Sequence, residues 1–165
     1  MSVVRIVEAS SAAELREVER LMRAYFASLA MDLAYQGVDA ELATLPGKYA
    51  RPLGAILLGW CDGVDASPVG VVAVRPLEFG AAGEPRVCEM KRLYVEPRAR
   101  RSGLGDALVD RLLHEASAMG YASMKLDTDP TFSPAMRLYA RHGFRPCARY
   151  NDDPHPETLY FERAL

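Results

Sequence analysis

The stretch RRSGLG (residues 100–105) lies between a segment typical of a strand (residues 87–95) and a segment with helical spacing (residues 106–119). The N-terminus of a helix presents unpaired N–H groups and a partial positive charge, and both favour anions. Glycines let the backbone approach a phosphate closely, and arginines add permanently charged, bidentate donors. Together these features predict a binding site for a pyrophosphate.

Two common phosphate-binding loops do not match this stretch. A Walker A loop requires GxxxxGK[ST], which does not occur in the chain. The dinucleotide fingerprint GxGxxG requires a third glycine, but Leu108 occupies that position after Gly103 and Gly105. A pair of glycines alone is also compatible with a tight strand-to-helix turn whose arginines are solvated.

The segments around this turn predict a mixed α/β sheet. A strand–helix–strand unit at residues 87–128 predicts two parallel neighbours, because a helical crossover connects parallel strands. Three strand-like segments with short turns between them, ending at residue 95, predict an antiparallel meander. Further strands are predicted at residues 3–7, 144–150 and 158–162. The total is about seven strands, mostly antiparallel, and about four helices.

Helix-start signals support this order of elements. Ser11 and Glu14 have the spacing of a capping box. A short helix is expected near residues 39–44. Ser133 and Pro134 supply an N-cap and a first-turn proline for the last helix.

Length and composition narrow the class of protein. The 165 residues fit a single domain, residues 1–165, and the net charge of −2 argues against a nucleic-acid partner. Three cysteines without CxxC spacing predict neither a disulfide framework nor a zinc site, and the histidines show no metal-ligand spacing. No segment resembles a signal peptide or a membrane span. We therefore expect a cytoplasmic protein without a metal and without a membrane partner.

Several motifs together resemble the GCN5-related N-acetyltransferases (GNAT). Arg100-x-x-Gly103-x-Gly105 is similar to the acyl-coenzyme A (CoA) motif of that family, [RQ]-x-x-G-x-[GA]. The other matching motifs are Leu93-Tyr94-Val95, Gly120-Tyr121, Leu138-Tyr139-x-x-x-Gly143-Phe144 and Tyr160-Phe161-Glu162. The resemblance covers at least residues 67–162. It implies a sheet splayed between the fourth and fifth strands, with acetyl-CoA as co-substrate in the gap.

The resemblance also implies which residues bind acetyl-CoA. The pyrophosphate would be held by the loop residues Arg100, Arg101, Ser102, Gly103, Leu104 and Gly105. The backbone of Leu93, Tyr94 and Val95 would bind the pantetheine arm and polarise the thioester carbonyl. Phe132 stands where the family often has asparagine, so the contact of that residue with the pantetheine arm is expected either to be lost or to be replaced by Ser133.

Two residues are expected to act in catalysis. Tyr139 occupies the family's position for the proton donor to the leaving sulfur, where it would also contact CoA. Glu89 lies eleven residues before Arg100, which is the spacing of the glutamate base in one branch of the family. Asp127 and ordered water are the alternatives for the base. A structural ion pair of Glu89 with Lys91 or Arg92 is the alternative role for Glu89.

The expected reaction is direct transfer of an acetyl group to a primary amine of a small molecule. Residues that could line the acceptor site are Tyr25, Tyr35, Lys48, Tyr49, Arg92 and Tyr150. Other acyl groups, other acceptors and a non-catalytic CoA-binding or sensor module remain open. A nicotinamide-binding module fits worst, because the third glycine is missing. Dimerisation is common in the family, so we expect either a monomer or a homodimer.

Overall fold

The computed structural model describes residues 3–30, 32–62 and 66–165. Its strands are β1 (Val4–Glu8), β2 (Ala55–Cys61), β3 (Gly70–Phe79), β4 (Pro85–Val95), β5 (Ser123–Thr128), β6 (Arg145–Pro146) and β7 (Leu159–Ala164). The α-helices in the described part are α1 (Ala12–Ser28), α2 (Val38–Ala43), α3 (Leu104–Ala118) and α4 (Ser133–Arg141). Short 3-10 helices occupy Ala34–Gln36, Gly47–Tyr49 and Pro97–Ala99.

The seven strands form one sheet in the order β1-β2-β3-β4-β5-β7-β6. β4 and β5 are parallel, and every other neighbouring pair is antiparallel. This confirms the predicted meander and the predicted parallel pair. None of the described helices is long and apolar enough to cross a membrane.

β4 and β5 pair over a short distance and then separate. Their register joins Val87 to Ser123, Cys88 to Met124 and Glu89 to Lys125, and it ends there. β4 continues to Val95 and β5 continues to Thr128. The two strands therefore open a gap beyond Glu89, and the expected splay of the sheet is confirmed.

The core lies on both faces of the sheet, because successive residues of a strand point to opposite faces. In β2, Leu57 belongs to the apolar cluster on the α3 face, and Leu58 belongs to the cluster on the α1 face. α1 starts where the sequence predicts: the Ser11 hydroxyl accepts from the Glu14 N–H at 3.2 Å, and the Glu14 carboxylate accepts from the Ser11 N–H at 2.9 Å.

Some predicted boundaries were wrong. The strand predicted at residues 144–150 has only two residues, since after Cys147 the chain turns on itself and the Arg149 side chain donates to the carbonyls of Asn151 and Asp153. Ser133 is the first residue of α4 rather than its cap, and Phe132 precedes it without a side-chain capping bond. α3 begins at Leu104, two residues before the predicted start, so Gly105 lies within the helix.

Candidate functional site

A cavity of about 1000 Å³ opens at the gap between β4 and β5. Both strands line it, together with the loop before α3, the end of α1 and the inner face of α4. The predicted site residues on its wall are Leu93, Tyr94, Val95, Arg100, Arg101, Gly103, Gly105 and Tyr139. The predicted site residues that do not line it are Glu89, Ser102, Leu104 and Ser133.

The loop before α3 presents a row of free backbone donors. Arg101 and Gly103 have φ angles of 65° and 86°, in the left-handed region. The N–H groups of residues 101, 102, 103, 105 and 106 find no acceptor within the described part of the chain. Successive donors around left-handed residues form a concave anion site at the positive end of a helix. This loop can therefore hold a phosphate group through its main chain.

Ser102 and Leu104 hold the loop in place from behind. The Ser102 hydroxyl donates to the Ala99 carbonyl at 2.7 Å and accepts from the Leu104 N–H at 3.3 Å. Leu104 is buried, and a Cβ atom on Gly59 would lie 2.6 Å from its Cδ1 atom. The two side chains therefore contact the protein rather than the cavity, while the backbone around them faces it.

Arginines surround the mouth of the cavity next to this loop. Arg101 and Arg137 line the cavity and form no ion pair within the described ranges. Arg100 donates to the Val95 carbonyl at 3.1 Å, and Arg141 contacts the Asp106 carboxylate at 3.1 Å. Burial raises the pKa of Asp106, but hydrogen bonds from Arg141 and His142 outweigh it and leave the pKa below its usual value. The positive charge at the mouth that no described carboxylate pairs thus comes from Arg100, Arg101 and Arg137.

Tyr139 lines the cavity, and its hydroxyl has no hydrogen-bond partner in the part of the chain that the structure describes. The side chain is buried, and its ring packs edge-on against Phe144 with centroids 6.0 Å apart. Its hydroxyl makes no hydrogen bond to any described residue. Burial, with smaller contributions from Tyr25 and Asp127, raises the pKa of Tyr139 above its usual value. The group is therefore a neutral O–H donor throughout the physiological range.

The two candidate carboxylates lie in different surroundings. Glu89 is fully buried, and its oxygens accept from Arg75 at 2.8 Å and from the Tyr150 hydroxyl at 2.6 Å. Lys91 lies 3.7 Å from the same carboxylate. Glu89 is therefore ion-paired, which the sequence analysis gave as its alternative role. Its partners are Arg75 and Lys91 rather than Arg92.

Asp127 lies on the cavity wall instead. Its Oδ1 atom is 3.3 Å from the Lys91 ammonium, and its Oδ2 atom accepts from the Asn151 amide at 2.8 Å. Of the two carboxylates, Asp127 is the one that can meet a substrate without a rearrangement.

The far end of the cavity is formed by α1 and by the loop before β7. Of the residues considered for an acceptor, Tyr25 and Arg92 line the cavity, whereas Lys48, Tyr49 and Tyr150 do not, and the Tyr35 side chain lies outside the described residues. Asp153 and His155 also line it. The sequence analysis missed Arg137. It lies four residues before Arg141 in α4, so the two arginines are on the same face of that helix, and this spacing could have revealed it.

β4 contains an irregularity at the edge of the cavity. Arg92 has a φ angle of 61°, which is uncommon for any residue other than glycine. Its pairing with β3 shifts there, because Val71 faces Tyr94 while Ala73 faces Lys91. One residue of β3 is therefore opposite two residues of β4, which defines a β-bulge.

Comparison with known sequences gives a consistent result. The profile of the Acetyltransferase (GNAT) family matches residues 16–144. An uncharacterized N-acetyltransferase of Schizosaccharomyces pombe is 39% identical over 152 residues, which cover 92% of this chain and 89% of that protein. The N-acetylaspartate synthetase of Rattus norvegicus is 31% identical over 123 residues, which cover 73% of this chain and 39% of that enzyme.

Comparison with solved structures supports the same architecture. A proposed acetyltransferase from Salmonella typhimurium, solved with its cofactor acetyl-CoA, matches with a TM-score of 0.68 at 18% identity. The match covers 98% of this chain and 94% of that one. At this level of identity, the likeness shows a shared fold.

Proposed function

The chain belongs to the GNAT family of acetyltransferases, and we propose that it transfers an acetyl group from acetyl-CoA directly to a primary amine of a small molecule. The observation that carries the proposal is the row of N–H groups at residues 101–103, 105 and 106, which have no acceptor among the described residues and lie in the loop that lines the cavity. The family implies acetyl-CoA as the donor, and the residues present fit it. Main-chain donors and three arginines that no described carboxylate pairs are chemically suited to its phosphates, and the β4–β5 gap is suited to its pantetheine arm.

The backbone of β4 supports a role next to the acyl group. Beyond Glu89, β4 has no partner on its β5 side, so the polar backbone groups on that edge face the gap. Leu93, Tyr94 and Val95 line the cavity along this edge. A fixed N–H there would stabilise the oxyanion that develops when an amine attacks a thioester. We therefore assign the thioester carbonyl to this part of β4.

Proton transfers are assigned to Asp127 and Tyr139. The bound co-substrate supplies an activated thioester carbonyl, and the acceptor must offer it a neutral amine. Asp127 accepts the proton that the amine loses, and Tyr139 donates its hydroxyl proton to the departing sulfur. Asp127 then releases its proton to solvent and Tyr139 regains one from solvent, so both residues return to their starting states. Glu89 remains the alternative base, acting from behind the cavity wall, and ordered water is the other.

A small, cationic amine is the acceptor that we favour. Asp127 and Asp153 place carboxylates on the cavity wall near its α1 end. A carboxylate attracts an ammonium group and holds it beside the acyl group. The relative named N-acetylaspartate synthetase is consistent with a small acceptor. The proposal takes residues 1–165 as one domain that acts in the cytoplasm as a monomer or homodimer.

The test is a calorimetric titration of the protein with acetyl-CoA, CoA and NADH. Gly103→Glu is compared with Gly83→Glu, since Gly103 and Gly83 are both exposed, have φ angles of 86° and 82°, and have no atom within 4 Å of an added Cβ. The backbone strain is therefore the same, but only Gly103 belongs to the loop before α3. We expect acetyl-CoA and CoA to bind, NADH not to bind, and Gly103→Glu alone to weaken binding at least tenfold.

Three outcomes would contradict the proposal. Equal losses in the two variants would mean that the loop does not contact the ligand. If the unaltered protein did not bind acetyl-CoA, the proposed acetyl transfer would be wrong. If acetyl-CoA binds, release of free thiol with a panel of small amines tests turnover, and binding without turnover would favour the non-catalytic CoA-binding module.

A further inference from the structure

Arg92 combines an unfavourable backbone conformation with a heavily anchored side chain. Its φ angle of 61° is in the left-handed region, where the side chain of an L-residue crowds the carbonyl group. Only 6% of the residue is exposed. Such a conformation persists in a folded protein only when its surroundings enforce it.

The anchor is a buried cluster that includes Glu41 of α2. Arg92 donates from Nε and Nη2 to the two carboxylate oxygens of Glu41, at 2.8 and 3.1 Å, and from Nη1 to Gln36 at 2.8 Å. Its guanidinium carbon also lies 4.8 Å from the centre of the Phe26 ring. A planar guanidinium held by two parallel bonds has little freedom to rotate.

Glu41 is itself fixed from its other side. The Lys48 ammonium lies 2.7 Å from the Glu41 Oε1 atom, and the Tyr49 hydroxyl donates to the same oxygen at 2.8 Å. Tyr49 is almost fully buried. The cluster is therefore a rigid support behind β4, on the face opposite α3.

The position of the bulge connects this support to the cavity. Arg92 and Leu93 are the two bulged residues, and the gap between β4 and β5 begins three residues earlier, after Glu89. A bulge changes the direction in which the following backbone groups point. Leu93, Tyr94 and Val95 follow at once and line the cavity.

We propose that the Glu41–Arg92 ion pair is a positioning device that holds the β4 bulge in its left-handed conformation, so that the backbone after it points at the reacting acyl group. The inference rests on the proposed acetyl transfer. Neither side chain touches the reacting atoms, and Arg92 acts through the backbone of Leu93. Loss of the conformation should therefore slow acyl transfer, while binding of CoA through the loop before α3 should persist.

The test compares Arg92→Gly with Arg92→Val. Both variants remove the guanidinium and leave Glu41 in the same state, but glycine accepts a positive φ angle and a β-branched residue resists it. We expect kcat of the valine variant to be at least tenfold below that of the glycine variant. The dissociation constant for CoA should agree within threefold between them. Arg92→Lys, which keeps the charge but loses the bidentate contact, should lie between the two in kcat.

The comparison is also designed for the case in which the single variants do not fold. If the buried Glu41 carboxylate unfolds the single variants once it is left without Arg92, the same comparison is made with Glu41→Gln in both proteins. Equal kcat values for glycine and valine in a folded pair would overturn the inference. A parallel loss of CoA affinity would also overturn it, because it would indicate general damage to the site. Failure of the unaltered protein to acetylate any amine would instead be a failure of the proposed function.

Discussion

The Lys91 ammonium lies 3.3 Å from the Asp127 Oδ1 atom, and the ion pair spans the gap where β4 and β5 have already separated. The same ammonium lies 3.7 Å from Glu89. One cation thus faces two carboxylates, of which Asp127 is on the cavity wall and Glu89 is behind it. This arrangement separates the roles that the two acids can have.

Replacement of each acid by its amide should therefore give different results. We expect Asp127→Asn to lower kcat/KM at least tenfold, because positioned bases contribute about 10²- to 10⁴-fold. Glu89→Gln should largely keep kcat/KM but lower the free energy of unfolding, since Arg75 loses its buried partner. The measurements are the rate of thiol release and the urea unfolding of each variant. A loss of rate confined to Glu89→Gln would move the base to Glu89, and normal rates in both variants would favour water.

Tyr139→Phe should slow the reaction without destabilising the protein. The hydroxyl has no partner among the described residues, so the melting temperature should stay within about 1 °C. By contrast, kcat should fall about 10²-fold if the hydroxyl protonates the leaving sulfur. Tyr121→Phe is the matched control, because the Tyr121 hydroxyl donates to the Leu53 carbonyl at 2.6 Å and lies away from the cavity. It should lose about 1 kcal/mol of stability and keep its kcat. A Tyr139→Phe protein with normal turnover would limit Tyr139 to a packing role.

Glu41 should make the protein sensitive to acid in a defined window. Burial raises the pKa of this carboxyl group, but bonds and charge from Arg92 and Lys48 outweigh burial and lower its pKa from 4.5 to about 2. A pKa depressed in the folded state stabilises the protein above the unfolded value, and this contribution is lost as the pH falls from 4.5 to about 2.

The contribution of Glu41 should be about 3 kcal/mol at pH 7, and about 2 kcal/mol of it should be gone at pH 3. Urea unfolding of wild type and Glu41→Gln at both pH values measures the difference. Glu19→Gln, which removes an exposed carboxylate paired with Arg23, should show no comparable change. A constant difference between wild type and Glu41→Gln at the two pH values would contradict the prediction.

Gly105→Val should disturb the contact between α3 and α4. A Cβ atom on Gly105 would lie 3.1 Å from Leu138 Cδ1 and 4.0 Å from Val95 Cγ2, so added methyl groups have no room. We expect a loss of about 1–3 kcal/mol in the free energy of unfolding. Leu138→Ala in the same chain should recover part of it, which a double-mutant cycle would show as a favourable coupling. Strict additivity of the two changes would mean that the helices adjust without strain.

Much of the fold could be predicted from local signals. The capping box at Ser11, the glycine turn before α3 and the meander of apolar segments all act over a few residues, so the sequence displays them directly. The short length of β6 could not be predicted, because the residue types at 144–150 favour a longer strand. The turn that ends it is held by hydrogen bonds of the Arg149 side chain, which the sequence does not display.

The site was harder to predict where it depends on distant partners. The loop at residues 100–105 and Tyr139 follow from motifs, and both line the cavity. The surroundings of Glu89 depend on Arg75 of β3 and on Tyr150, which is 61 residues away. The Arg92 side chain, on the residue with the left-handed conformation, is bound by Glu41, which is 51 residues away. No local pattern reports such contacts.

The N–H groups of residues 101–103, 105 and 106, which have no acceptor in the described part of the chain, have a consequence for how the site should be mapped. Every residue except proline carries the same N–H group, so replacing these side chains one by one with alanine would leave most of the donors in place. An alanine scan would thus score much of the loop as dispensable. The donors also carry no titratable proton, so anion affinity should vary little with pH wherever the ligand keeps its charge. Substitutions that alter φ, at Gly103 above all, are the ones that would reveal the site.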